Sequence, residues 1–128
     1  MHHFSGRAPK VAGNTLLHFV NNYMYSSTGH AFEVDSGSMI LAEGNVWQNV
    51  ANPVDTAVSG QLFTSPDTSS NAACQSALGR TCVVNAFGSS GAFKRTDTGF
   101  LNNFKGKNIA SAAAASSSFK DRAGVGKI

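Results

Sequence analysis

Between Val11 and Gly79 the sequence has no lysine and no arginine. That stretch carries Glu33, Asp35, Glu43, Asp55 and Asp67 instead. Basic residues return with Arg80 and dominate from Lys94 onward, so the net charge of +3 belongs to the tail rather than to a patch on the body. A nucleic-acid reader spreads Lys and Arg along one face with base-stacking aromatics among them. No such pattern is present, and the basic tail reads as a solvated terminus. Charged residues are 13% of the chain, about half the ~25% usual for soluble domains. Hydrophobic residues are 41%, which excludes intrinsic disorder. No apolar run approaches the ~20 residues of a membrane span. The opening MHHFSGRAPK lacks the apolar stretch of an export signal. Cysteine is scarce: Cys74 and Cys82 stand alone, without CxxC spacing or a nearby His to complete a zinc set. They are either a locally closed disulfide loop or two free thiols.

What is present is a repeat. Slid along itself until Met1 lies on Met24, the chain lays MHHFSGRAPKV on MYSSTGHAFEV. At that one offset Gly6 meets Gly29, Ala8 meets Ala31 and Val11 meets Val34. Further on, Thr15-Leu16-Leu17 meets Ser38-Met39-Ile40, and Asn22 meets Asn45. The apolar runs Thr15–Val20, Ala31–Val34, Met39–Ala42 and Val46–Val50 are too short for helices and rich in β-branched and aromatic residues. Short strands at a fixed period, separated by Gly, Asn and Ser, describe a solenoid whose coils hydrogen-bond to one another about 4.8 Å apart. Two similar hairpins in a sandwich are the competing arrangement. Asn22 over Asn45 reads as a turn ladder in which side-chain amides satisfy backbone groups. The first repeat is complete at Met1, and a first coil without a lower neighbour exposes an apolar sheet edge, so the expectation is a solenoid truncated at its N-terminus.

The segments SGRAPKV, GNTLLHFVNNYMY, GHAFEV, LAEGNVWQNV, GQLFTSPD, the Cys74–Cys82 loop and VVNAFGSSGAF, in that order and spacing, resemble the pectin lyases of the pectate lyase superfamily. The resemblance runs from Met1 to about Ala110. It implies an all-β chain coiled as a right-handed parallel β-helix, and a disulfide between Cys74 and Cys82. It implies a secreted, extracellular enzyme, its leader lost with the N-terminal part, acting on pectin as a monomer without nucleic-acid or membrane partners. The implied reaction is β-elimination on methyl-esterified (1→4)-α-D-galacturonan. Three alternatives remain: a pectate lyase acting on de-esterified polygalacturonate, a non-catalytic polysaccharide-binding β-helix remnant, and a pectin lyase by descent that is inactive as this truncated fragment.

In that superfamily an Arg in an R-x-P segment acts as the base. Here the segment is Arg7-Ala8-Pro9, so the resemblance gives the role to Arg7. A free guanidinium has a pKa above ~12 and is a poor base; it serves only where cations or desolvation disfavour its charge. Lys10, three residues on, and His30, one repeat above Arg7, are the candidates for supporting it. Strand alternation puts Arg7, Pro9 and Val11 on one side, so a buried Val11 requires a turn at Gly6 or Pro9 to bring Arg7 outward. Pectate lyases usually show R-x-P-x-x-R, but the last position is Ala12 here, which favours esterified substrate. No metal site is expected, and the calcium of pectate lyases is not expected as a cofactor. His18, on the Leu16–Val20 run, reads as a satisfied sheet residue, and His2 and His3 have no assignable direction. Trp47, Phe32, Phe63, Phe87 and Phe93 lie on strand-like runs and read mostly as core.

The organisation follows. Residues 1–63 are β-helix turns with the Arg-x-Pro segment. Residues 64–110 are the disulfide loop, the last turn and a C-terminal cap. Residues 111–128 are a low-complexity tail. Gly60–Ser65 and Thr81–Phe87 read as strands, and Pro53 distorts the third period. Asp97 reads as the N-cap of a short helix over Thr98–Lys105 that covers the end of the coil.

Overall fold

The computed structural model describes residues 2–4, 9–55, 57–91 and 93–107. Eight strands appear in chain order: β1 (His2–Phe4), β2 (Lys10–Val11), β3 (Thr15–Val20), β4 (Tyr23–Val34), β5 (Ser38–Glu43), β6 (Val46–Val54), β7 (Gln61–Phe63) and β8 (Ala86–Gly88). Two short helices, α1 (Thr68–Asn71) and α2 (Cys74–Leu78), lie between β7 and β8, and a 3-10 turn spans Leu101–Phe104.

The strands form two parallel sheets. One runs β1-β4-β6-β8 with β2 also on β4, and the other runs β3-β5-β7. The register is the sequence repeat made physical. His2 faces Tyr25, Val11 faces Val34, Thr15 to Val20 face Ser38 to Glu43, and Tyr23 faces Val46. Every one of these pairs keeps the offset that lays Met1 on Met24. This is the parallel β-helix, and it disposes of the sandwich of hairpins, whose neighbours would run antiparallel. The third period is distorted, as Pro53 suggested. Between Ser27 and His30 the register shifts, so that His30 faces Asn52 and Phe32 faces Val54, one residue short of the regular offset. In the next coil Val46 faces Ala86, a far longer step, because α1, α2 and the disulfide are inserted there.

Turn positions stack as well. Asn22 N–H donates to Asn45 Oδ1 at 2.8 Å, and Asn45 N–H donates to Asn85 Oδ1 at 2.8 Å. Each lower amide also donates through Nδ2 to the oxygen above it, at 3.2 and 2.9 Å. The third rung, Asn85, escapes the regular period because of the insertion. The left-handed backbone also recurs by coil, at Ser26, Asn49 and Ser89. These residues follow the aligned positions Tyr25, Gln48 and Gly88 and bend the three strands at one place.

The interior of the coil holds Met24, Phe32, Val34, Ile40, Trp47, Val50, Leu62 and Phe93. Trp47 lies 5.8 Å from Phe32 and 5.1 Å from Phe93 between ring centres. Phe87 stacks on Trp47 but keeps 42% of its surface exposed, so it is the one member of the aromatic set at the rim. The β3-β5-β7 sheet is covered on both faces. Ile40 and Leu62 point into the coil, while Leu41 and Phe63 pack outside against Ala77, Phe100, Leu101 and Phe104. The C-terminal segment therefore covers the flank of this sheet, through one 3-10 turn rather than a helix over Thr98–Lys105. Asp97 does not cap it; its carboxylate accepts from Leu62 N–H at 3.1 Å. Of the expected strand Thr81–Phe87, only Ala86 and Phe87 belong to one, β8. The expected tail, 111–128, lies outside the described residues.

Replacing Asn45 with alanine leaves Asn22 N–H and buried backbone groups unpaired, and is expected to cost about 2–4 kcal/mol, read by urea unfolding. Gly60 sits where an added Cβ would lie 2.6 Å from both Asp35 O and Ser38 O. Gly60→Ala is expected to lose roughly 1–3 kcal/mol in the same measurement.

Candidate active site

Arg7 itself lies outside the described residues. The strands on either side of it keep one register, with Phe4 facing Ser27 and Lys10 facing Glu33. Val11 is buried at 5% exposure, and the chain bends at Pro9.

The described surroundings are set by the stacking of coils. Lys10 Nζ lies 3.2 Å from Glu33 Oε1 and 3.4 Å from Asp35 Oδ2. Glu33, then Asp35, raises its pKa above the ordinary lysine value, so Lys10 is a cation throughout the neutral range. Its charge is shared with two carboxylates, and its field on neighbouring groups is reduced accordingly. His30 Nε2 lies 3.4 Å from Glu33 Oε2 and 3.9 Å from Asp55 Oδ2. The ligand atoms of His30, Glu33 and Asp55 all lie within 4.8 Å of one another. One imidazole and two carboxylates are donors for a divalent cation, but they supply far fewer oxygens than the six to eight calcium takes. The sequence reading singled out Lys10 and His30, and the fold brings them to one surface. It missed Glu33, Asp35 and Asp55. The repeat held the signal, because adding one period to Lys10 gives Glu33.

Away from this surface the carboxylate of Glu43 is fully buried at the end of β5. Arg80 clamps it through two hydrogen bonds of 2.8 and 2.9 Å, His18 Nε2–H donates at 2.7 Å and Val83 N–H at 3.0 Å. Burial pushes the Glu43 carboxyl up, but Arg80, His18 and Val83 outweigh it and hold the group down at about 2. His18 is the satisfied sheet residue expected. The cluster ties the inserted loop to the coil. The same loop is closed by the disulfide Cys74–Cys82, with Cα atoms 5.6 Å apart and both residues buried.

A coil of parallel strands with a stacked asparagine turn and an outward polar column defines the class of parallel β-helix proteins. The family model described as pectate lyase matches residues 2–128, and the chain belongs to the pectate lyase family. It is 63% identical to pectin lyase B of Emericella nidulans, 62% to probable pectin lyase D of the same fungus, and 61% to probable pectin lyase A of Aspergillus oryzae. In each case the whole of this chain aligns with 35% of the relative, so it spans about a third of their length. Among the described residues no helix is long and apolar enough to cross a membrane.

Because the Glu43 pKa is lower folded than unfolded, its contribution is complete above about pH 4.5 and is lost as pH falls towards 2. Unfolding free energy is expected to drop by on the order of 3 kcal/mol over that window. Glu43→Gln should flatten that part of the pH profile in urea titrations, at a lower starting stability.

Proposed function

We propose that this chain carries the eliminative site of a pectin lyase, with Arg7 as the base. The observation that carries the reading is identity above 60% across the whole chain to relatives named pectin lyase. The R-x-P segment Arg7-Ala8-Pro9, set between strands of unbroken register, supports it.

Arg7 takes the proton from C5 of a methyl-esterified galacturonate unit. The electron pair forms the C4–C5 double bond, and the C4–O glycosidic bond breaks. The leaving oxygen takes up a proton, and no water is consumed. The ester carbonyl acidifies C5, and esterification removes the carboxylate charge that would oppose carbanion formation. Lys10 and His30 both lie against Glu33. Lys10 adds positive potential moderated by Glu33 and Asp35, and His30 adds charge only when protonated. Calcium has no part in this reaction, because the neutral ester needs no cation to offset its charge. The enzyme acts outside the cell, in keeping with its substrate and its locally closed disulfide.

The test is the ultraviolet absorbance of 4,5-unsaturated product from highly methylated pectin and from polygalacturonate, with and without chelator. Product from methylated pectin that survives chelation is expected. Arg7→Ala should lower the rate at least about 100-fold. Chelator-sensitive product from polygalacturonate alone would assign the chain to pectate lyase chemistry. An absence of product from both polymers would reject an eliminative site in this chain.

A further inference from the structure

The surface above His30 continues into a groove. A cavity of about 230 Å³ is lined by His30, Asn52, Val54 and Asp55. A second, of about 350 Å³, has Val58, Lys94 and Arg95 in its wall as well as Asn52, Val54 and Asp55. Asn52, Val54 and Asp55 are walls of both, so the two form one channel across successive coils. The channel starts at His30, which lies one repeat beyond Arg7 in the sequence.

Its chemistry is polarised. Asp55 stands in the wall common to both cavities, and Glu33 lies beside His30 at one end. The far end adds Lys94 and Arg95 to its wall. Arg95 is committed there, its Nη2 held by Asp97 Oδ2 at 2.9 Å. Lys94 is exposed, and among the described residues it makes no ion pair at contact distance; only its longer-range field reaches Asp67. Between the ends, Val54 and Val58 give an apolar floor and Asn52 a side-chain amide. An apolar floor with a few polar groups around it suits a sugar ring, whose C–H face packs while its hydroxyls hydrogen-bond.

We propose that this groove binds a uronate unit of the polymer, with its free carboxylate on Lys94 and its ring over Val54 and Val58. The inference rests on the pectin reading above and deepens it. A neutral, esterified unit suits the His30 end, because a free carboxylate there would meet Glu33 as well as Asp55, with no Lys94 in the wall to offset them. A de-esterified unit suits the Lys94 end. The channel thereby sets a pattern preference: ester at the reacting rung, free acid towards the C-terminal coils.

The test is binding of matched oligogalacturonides, fully methyl-esterified or carrying free carboxylates, to the whole chain, followed by NMR shifts and calorimetry. The expected result is that Lys94→Ala weakens the oligomer with free carboxylates about 3–10-fold and leaves the fully esterified one unchanged. Lys94→Arg should restore the difference, and raised salt should remove it. Lys94 is exposed, so the variants are expected to unfold like the parent, which urea titration checks. Equal weakening of both oligomers, or none, overturns the proposal, as does binding of neither oligomer by the unaltered chain. Formation of unsaturated product is read separately, so the eliminative reading survives or fails by itself.

Discussion

Each coil of this protein is held at one height relative to the next by a buried column of asparagines. Asn45 is fully buried. Its side-chain oxygen takes the Asn22 N–H below, its backbone N–H goes to Asn85 above, and its side-chain amide also donates to Phe19 O. Turns in a solenoid interior would otherwise leave backbone groups without water or partners, at a cost of about 1–3 kcal/mol for each orphan. A slip by one residue would break the column and turn every strand's apolar face outward. The ladder and the inward pair of Met24 and Trp47 therefore specify the same register twice, once by hydrogen bonds and once by burial.

The same constraint fixes the chemistry of the outer surface. A column of outward positions receives one residue from each coil, so groups distant in sequence become neighbours at salt-bridge distance. Lys10 and Glu33 are such a pair. The column is a mixed-charge surface rather than a cationic one. Its acidic members Glu33 and Asp35 share the charge of Lys10.

The inserted loop between β7 and β8 obeys a different logic. It interrupts the period, so it must be anchored by its own contacts. The disulfide closes it, Arg80 reaches back to the buried Glu43, and Cys74, Ala77 and Cys82 pack against Leu41, Phe63 and the Phe100–Phe104 segment. Arg80 ends the long stretch without basic residues. Its partner, within that stretch, is the carboxylate with the strongest need for a cation.

The family resemblance implied the parallel coil; the sequence itself carried the period, the Asn22–Asn45 step and the placement of Trp47 and Phe32 inside. These follow from local pattern, because a strand's pleat and a repeat's offset are properties of neighbouring residues. It also marked Lys10 and His30 as residues of one surface. Only the tertiary structure decided that Asn85 continues the ladder, that Glu43 is the buried partner of Arg80, and that Glu33, Asp35 and Asp55 gather around Lys10 and His30. Each of those contacts depends on how many residues a coil spends in its turns. The one-residue shift near Pro53 and the long insertion before β8 change that count. Only the packed coils, where burial and hydrogen bonding are satisfied together, fix what the count must be.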